Sequence, residues 1–279
     1  MQRRVGIIGC GTIGTELALA IDKSHINNAV IVFLFDSIIS ASLDLRKKLF
    51  KNCPSVFSKF SQLISSSPFK EADIIIEAAS QDAVKTFAKK IVSSNKSLMI
   101  MSIGALADVH LLKELYKAVI EHNSQIYFPT GAIAGIDALR SAKRHLEFVM
   151  LTTTKNPNTL VGAPFFDSSK VRPESIRKRK LLYSGNALNA IKMFPTNINA
   201  AILLSLAGVG TEKTRVRVIA DPDIDRNEHE IIAGGKFGEM IIVVQNVPSP
   251  NNPKTSYLAS LSAIECLRGI CDDKIRMGT

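Results

Sequence analysis

Three glycines near the start of the chain have the spacing of a phosphate-binding loop. Gly9, Gly11 and Gly14 form a GxGxxG pattern between the apolar run Val5–Ile8 and the helix-like stretch TELALAI. The first glycine allows a tight turn, the second clears the path of a pyrophosphate, and the third lets the helix pack on the strand. Backbone N–H groups at the start of the helix would then bind the phosphates. The residues expected to contact the nucleotide are Gly9, Gly11, Thr12, Ile13 and Gly14.

An acidic residue follows at the distance that a ribose-binding carboxylate requires. Asp36 ends the apolar run AVIVFLFD, 22 positions after Gly14. The next four residues, 37–40, include no arginine for a 2′-phosphate, so we favour NAD over NADP as the cofactor, although NADP stays open. The alternative reading of Asp36 is a cap for the next helix.

Strand-like and helix-like segments alternate through the first 130 residues, which predicts a Rossmann-type doubly wound parallel sheet, an α/β fold. The segments after Asp36 are DIIIEAAS, QDAVKTFAKKIV, SLMIMSIGA, DVHLLKELYKAVIEH and QIYFPTGA. Cofactors bind such sheets at the carboxyl ends of the strands. The small residues Ala79 and Ser80 follow one strand there and leave room for the nicotinamide half. We therefore expect an NAD-binding domain over residues 1–130.

The strict alternation of strand-like and helix-like segments ends after residue 130. The new order predicts a second, α+β domain over residues 131–251 with a mixed sheet. HLEFVMLTTTK alternates in polarity as a strand whose polar side chains face water, and NALNAIKMFP and NINAAILLSLAG are helix-like. Three more strand-like segments follow, TRVRVIADP, EHEIIAGG and GEMIIVVQNV. Residues 252–271 form an amphipathic pattern that we interpret as a long helix packing back on the first domain.

One histidine lies within a strand-like segment, between two glutamates. His229 begins HEIIA, which starts like a zinc-binding HExxH motif, but Ala233 occupies the place of the second histidine. A metal site is therefore disfavoured, and none is predicted. Strand alternation places Asn227, His229 and Ile231 on one face and the glutamates on the other. From the residues alone, a solvated surface histidine and a proton-transferring imidazole both remain open.

Composition excludes several classes of protein. The densest apolar stretch, Ala200–Gly210, is too short to span a bilayer, and the N-terminus has no signal-peptide pattern, so we expect a soluble cytoplasmic protein. The four cysteines have no metal-ligand spacing, which favours reduced core thiols. The net charge is +10, but the basic residues are dispersed, and the run from Lys170 to Lys180 contains no aromatic residue. We expect no nucleic-acid or membrane partner and assign that run no role.

The longer blocks of the sequence resemble the L-aspartate dehydrogenases of archaea and some bacteria. The resemblance rests on VGIIGCGTIG, EAAS, MSIGALAD, FPTGAIAGIDAL, FPTNINAAILLSLAG, VRVIADP, NEHEI, GKFGEM and PSPNNPKTSYLASLSAI. It implies NAD(P)-dependent interconversion of L-aspartate with iminosuccinate, oxaloacetate and ammonia, which could feed NAD biosynthesis. It also implies His229 as the catalytic residue and nicotinamide contacts from Ala132 and Asn199.

Three further expectations concern the substrate donors, the oligomeric state and the alternative functions. A dicarboxylate substrate needs donors at both ends, and NPKTS offers Lys254, Thr255 and free N–H groups at a helix start, although a simple helix cap would explain the same residues. A sheet with one open face favours a homodimer. Two rival functions stay open: a related reductase of the dihydrodipicolinate reductase or homoserine dehydrogenase type, and a non-catalytic NAD-binding regulator.

Overall fold

A computed structural model describes residues 2–169, 171–195, 199–250 and 252–272, and the chain divides into two compact units. The described residues of the first unit are 2–129 and 260–272, and those of the second are 130–169, 171–195, 199–250 and 252–259. In the described part of the chain, no helix is both long enough and apolar enough to cross a membrane.

The first unit is built on a parallel sheet, which confirms the predicted Rossmann-type doubly wound fold. Its strand order is β3-β2-β1-β4-β5-β6, so the order reverses between β1 and β4. The described strands are β1 (Arg3–Ile8), β2 (Ala29–Phe35), β3 (Ser55–Phe57), β4 (Ile74–Glu77), β5 (Ser97–Ile100) and β6 (Ile126–Tyr127). Because all neighbouring pairs are parallel, the carboxyl ends of these strands share one edge. Ligands bind at such reversal points in this class of fold.

Helices follow most strands of the first unit and cover the apolar sheet. They are α1 (Thr12–Asp22), α2 (Ile39–Lys47), α3 (Phe60–Ser65), α4 (Ser67–Glu71), α5 (Gln81–Val92) and α6 (Val109–Glu121). Helix α5 begins at the predicted residue because the Ser80 hydroxyl accepts a hydrogen bond from the backbone N–H of Ala83, an N-cap. Its buried residues Val84, Ala88 and Ile91 recur at helical spacing and form the face toward the sheet.

The second unit carries the predicted mixed sheet. Its order is β11-β10-β7-β9-β8, and only β7 and β9 run parallel. The strands are β7 (Leu146–Lys155), β8 (Lys180–Asn186), β9 (Arg215–Ala220), β10 (Asn227–Gly235) and β11 (Gly238–Asn246), and a separate pair consists of β12 (Pro248–Ser249) and β13 (Asn252–Ser256). The helices are α7 (Ile136–Ser141), α8 (Pro164–Ser168), α9 (Ala187–Met193) and α10 (Asn199–Ala207). Helix α10 packs on α7, α9 and β7, so one face of the sheet is covered.

Three expectations about local structure are wrong. The last helix, α11 (Tyr257–Asp272), begins five residues later than predicted, because Asn252–Ser256 pair with β12 as a strand. Its residues Ala263 and Leu267 pack in the core of the first unit. The polar residues of β7 were expected to face water, but Thr152 and Thr154 are buried. The cysteines are free as expected, but Cys53 is exposed and not a core thiol.

Candidate active site

The glycine loop follows the end of β1. A side chain at Gly9 or Gly14 would collide with the backbone, whereas one at Gly11 would not. Gly9 has φ +97°, and its N–H donates to the Phe35 carbonyl oxygen at 2.8 Å. A Cβ at Gly14 would collide with the Gly9 carbonyl oxygen. A Cβ at Gly11 would meet no atom within 4 Å. The space above Gly11 is therefore open, as a loop that lies against a bound pyrophosphate requires.

Helix α1 begins at Thr12, directly after the exposed Gly11. The first backbone N–H groups of a helix have no partner within it, so those of Thr12 and Ile13 can bind a phosphate at this edge of the sheet. The loop therefore fits the nucleotide that its glycine spacing predicts.

Asp36 ties this loop to the end of β2. Its Oδ2 accepts a hydrogen bond from the Cys10 N–H at 2.9 Å, and its Oδ1 accepts one from the Ile38 N–H at 3.0 Å. The N-cap residue of α2 is Ile38, without a side-chain capping bond, so Asp36 does not cap that helix. The carboxylate instead lies beside the glycine loop, where the ribose-binding prediction requires it.

We expect Asp36→Ser to weaken NADH binding by about 10- to 100-fold, because the loss of a charge-assisted hydrogen bond costs about 1.5–3 kcal/mol. The shorter, neutral side chain would also reduce the discrimination against NADPH. The measurement is the KM for NADH and for NADPH in the same preparation. Asp44→Ser on the exposed face of α2 is the matched control, and an unchanged ratio of the two KM values would contradict a ribose-binding role.

A buried carboxylate orders the next two loops, and the sequence did not single it out. Glu77 ends β4 with 2 % of its surface exposed, and its Oε1 accepts hydrogen bonds from the N–H groups of Ala79 and Ser80, each at 2.9 Å. Its Oε2 accepts a third from the Ser102 N–H at 3.0 Å, after β5. An acid inside the apolar run DIIIEAAS was the available signal. The predicted residues Ala79 and Ser80 are exposed at the same sheet edge as the glycine loop.

In the second unit, His229 lies on the inner face of the sheet. Its side chain is 2 % exposed, and its Nδ1 lies 2.9 Å from the hydroxyl oxygen of Thr153 on β7, the residue directly opposite it. Asn227 and Ile231 are buried on the same face, whereas Glu228 and Glu230 alternate to the other, which confirms the predicted face assignment. The solvated surface alternative is therefore wrong. Among the described residues, no group of His, Cys, Asp or Glu could hold a metal ion.

Burial and a neighbouring cation set the charge state of this imidazole. Burial and, as the smaller cause, the positive charge of Lys155 together lower the pKa of His229 to about 3. Lys155 follows Thr153 by two positions on β7, so strand alternation places both side chains on one face. Burial lowers the pKa of Lys155 to about 8. The imidazole is thus neutral near pH 7.

Several polar groups lie at the same end of this sheet. Asn246 is opposite Asn227 on β11, and its Nδ2 donates to the Ala132 carbonyl oxygen at 2.9 Å. The Asn227 Nδ2 donates to the hydroxyl of Ser256 at 3.4 Å, a long bond. The predicted residue Ala132 is therefore fixed near the strand position of His229. Predicted residue Asn199 is the first residue of α10, and the preceding residues 196–198 lie outside the described ones.

The predicted helix start at Lys254 and Thr255 is wrong, and their contact with substrate stays a prediction. Lys254 and Thr255 lie in strand β13, so their backbone N–H groups are not free helical ones. Thr255 is half-buried, and the side chain of Lys254 lies outside the described atoms. The structure therefore provides no helix N-terminus at these two residues.

Comparisons with known proteins agree along the whole chain. Residues 137–270 match the family described as aspartate dehydrogenase, C-terminal, and residues 9–129 match the NAD-binding domain of homoserine dehydrogenase. An L-aspartate dehydrogenase of Nitrosopumilus maritimus is 47 % identical over 100 % of both chains, and one of Methanosarcina mazei is 43 % identical over 99 % of both. The crystal structure of aspartate dehydrogenase from Thermotoga maritima matches with a TM-score of 0.77 and 26 % identity over 100 % of both chains.

The parallel sheet, its glycine loop and these matches define the class of protein, an NAD-dependent dehydrogenase with a Rossmann-type unit. The second unit narrows the class, because its mixed sheet lies within the matched C-terminal region and the curated relatives span the full length. The chain belongs to the aspartate dehydrogenase family.

Proposed function

We propose that this protein is an L-aspartate dehydrogenase that uses NAD. The overall reaction is L-aspartate, NAD⁺ and water giving oxaloacetate, ammonium, NADH and one proton. The observation that carries the proposal is the imidazole of His229, held by Thr153 on a buried sheet face, in a chain whose full-length relatives are named L-aspartate dehydrogenase.

The protein's own groups have two tasks in this reaction. The glycine loop and the N-terminus of α1 bind the pyrophosphate, and Asp36 lies beside that loop. When NAD is bound, its nicotinamide supplies the acceptor for the hydride from the substrate Cα. His229 first accepts a proton from the substrate ammonium, because only a neutral amine can donate its electron pair as the hydride leaves.

The same imidazole serves the hydrolysis that follows. His229 releases the proton from the substrate ammonium to solvent, which is the one proton of the overall reaction. Hydride loss from the neutral amine leaves protonated iminosuccinate, and water adds to its C=N carbon as the neutral imidazole accepts a proton from that water. His229 returns that proton to the nitrogen, the C–N bond breaks to release ammonia, and the ammonia takes up the hydroxyl proton as the C=O bond of oxaloacetate forms, which gives ammonium. An imidazole whose ring is fixed by one hydrogen bond is positioned to accept and return these protons.

Reductive amination tests the proposal against its rivals. We expect NADH oxidation with oxaloacetate plus ammonium and none with oxaloacetate alone, which separates an amine dehydrogenase from a hydroxy-acid dehydrogenase. L-Aspartate should reduce NAD in the opposite direction. Turnover of homoserine or a cyclic imine with none of aspartate would favour the related reductases. Binding of NADH without any turnover would favour a non-catalytic regulator.

We further propose that the protein is a homodimer through the outer face of the second unit's sheet. Ile241 and Val243 of β11 are 63 % and 54 % exposed, and Phe148 on β7 is 43 % exposed. Register places Ile241 opposite Ile232, which is opposite Met150 on β7, so the apolar surface is continuous across three strands. Surfaces of this kind mark association sites, and closed two-fold dimers are the commonest assembly.

Replacing both Ile241 and Val243 with glutamate is expected to convert the dimer to a monomer, because charges at the centre of a self-associating apolar face must lose their water. Light scattering coupled to gel filtration measures the mass. Ile120→Glu is the control, since Ile120 is 80 % exposed on α6 in the first unit. A wild-type protein that elutes as a monomer would overturn this assembly.

A further inference from the structure

A pocket on the outer face of the second unit's sheet has no part in the proposed reaction. Three side chains in register form its floor, because Thr154 on β7 lies opposite Glu228 on β10, which lies opposite Gln245 on β11. The Gln245 Nε2 donates to the Glu228 Oε2 at 2.9 Å. Strand alternation directs these side chains away from the face that carries His229. Residues of the loop between β9 and β10, 221–226, line the wall.

Hydrogen bonds hold the wall of this pocket in place. The Asn156 Nδ2 donates to the carbonyl oxygens of Pro222 and Ile224 at 3.2 and 3.3 Å. Asp221 is 9 % exposed, and its Oδ1 accepts a hydrogen bond from the Asp223 N–H at 3.1 Å. The carboxylates of the loop are therefore attached to a backbone that is already ordered in the free protein.

One polar side chain of the floor lacks a partner. Thr154 is 2 % exposed, and its Oγ1 makes no hydrogen bond with any residue that the structure describes. A buried hydroxyl without a partner costs free energy, and most buried polar groups therefore have one. Since Thr154 lines the pocket, a polar ligand bound there would supply the missing hydrogen bond.

The lining of the pocket is acidic, in a chain whose net charge is +10. Four of the described lining residues carry carboxylates and two carry guanidinium groups, so the lining has a formal charge of −2. Carboxylates gathered in a concave site raise the local concentration of cations. The charged residues are Asp221, Asp223, Asp225, Glu228, Arg179 and Arg226.

The arrangement suits an organic cation better than a metal ion. Within the described ranges, no group of His, Cys, Asp or Glu is placed to hold a metal ion. The cavity of about 330 Å³ has roughly ten times the volume of a water molecule and lies within the range of small-molecule sites. An ammonium group donates three hydrogen bonds and accepts none, which fits carboxylate oxygens and the Thr154 hydroxyl.

We infer that this pocket binds a small organic dication of the aliphatic diamine class. Two ammonium groups match the formal charge of the lining, and a short methylene chain between them can pack on Ile224, which also lines the pocket. The chain lets the two charges reach carboxylates that are not grouped closely enough for one metal ion. The inference goes beyond the proposed reaction, because Thr154 and Glu228 point to the face opposite His229.

Calorimetry of the wild-type protein with 1,4-diaminobutane tests the inference. We expect saturable binding at one site per chain and none of 1,4-butanediol, which has a similar length without the charges. Glu228→Gln and Asp221→Asn should each weaken diamine binding by about tenfold or more, because each removes a charge-assisted hydrogen bond. Glu230→Gln is the matched control, since Glu230 is on the same strand and face and is not among the described lining residues.

Thr154→Val separates a ligand contact from a structural role, because valine keeps the shape of the side chain and removes the hydroxyl. We expect diamine affinity to fall about tenfold. The thermal midpoint of the free protein should not fall, since the hydroxyl makes no hydrogen bond with the described residues. A variant that melts earlier but binds the diamine like the wild type would show that the hydroxyl serves the fold, and the inference would be wrong.

Three other results would overturn the inference. The first is no saturable binding of the diamine at millimolar concentration, and the second is equal affinity for 1,4-butanediol. The third is a loss of affinity in Glu230→Gln as large as that in Glu228→Gln, which would indicate nonspecific attraction to an acidic surface. Failure of the proposed reaction would leave these measurements unaffected, because none of them uses aspartate or NAD.

Discussion

His229→Ala is expected to lose aspartate oxidation by ~10²-fold or more in kcat, the range usual for removal of a general acid–base group. Its affinity for NADH should not change, because the glycine loop consists of residues of the first unit alone. Steady-state rates and NADH fluorescence titration measure the two quantities. Glu230→Gln is the matched control, since that side chain alternates to the opposite face of β10. Near-normal turnover in His229→Ala would reject the assignment.

The pH dependence of the wild-type protein gives a second test of the same residue. The folded pKa of His229 is lowered from 6.5 to about 3 by burial and by Lys155. The neutral form therefore persists as the pH falls through the usual range of histidine. The acidic limb of kcat/KM due to this imidazole should lie well below neutrality, since kcat/KM reports the free enzyme. An acidic limb near pH 6.5 that vanishes in His229→Ala would contradict this burial.

Gly11→Ala is expected to weaken NADH binding by about 10- to 100-fold without a change in the thermal midpoint. The added methyl group meets no protein atom within 4 Å, so the free protein should tolerate it. It would occupy the space in which a pyrophosphate approaches the backbone, and overpacking of this kind costs about 1–3 kcal/mol. Calorimetry with NADH and a thermal melt of the free protein measure the two effects.

Gly14→Ala provides the contrast to that variant. Its methyl group would collide with the Gly9 carbonyl oxygen, so the loop must distort even in the free protein. Its thermal midpoint should fall by about 2–4 °C for each kcal/mol lost. If Gly11→Ala bound NADH with unchanged affinity, the phosphates could not lie over this glycine, and the nucleotide site would have to be placed elsewhere.

Local patterns were sufficient for the elements that their own residues stabilise. Helix α5 was predicted to the residue, because the cap of Ser80 and the helical spacing of Val84, Ala88 and Ile91 all lie within thirteen consecutive positions. The buried face of β10 was predicted correctly, because strand alternation is a local property.

Features that depend on distant partners were not predictable in this way. Asn252–Ser256 directly precede the amphipathic pattern of α11, but they form a strand that pairs with β12, and that pairing depends on residues outside the segment. Glu77 accepts a hydrogen bond from a loop after β5. Lys155 lowers the pKa of a histidine 74 positions away. Sequence spacing does not report such contacts, although a charged residue at the end of an apolar strand is a usable signal.

The most direct test of the proposed reaction is the fate of the hydrogen on the substrate Cα. L-Aspartate carrying deuterium at that carbon is incubated with the protein and NAD, and the reduced nucleotide is analysed by mass spectrometry and NMR. We predict one deuterium at C4 of the nicotinamide and one ammonium released for each NADH formed. NADH without deuterium, or bound NAD that stays oxidised with aspartate present, would contradict the assignment of this chain as an aspartate dehydrogenase.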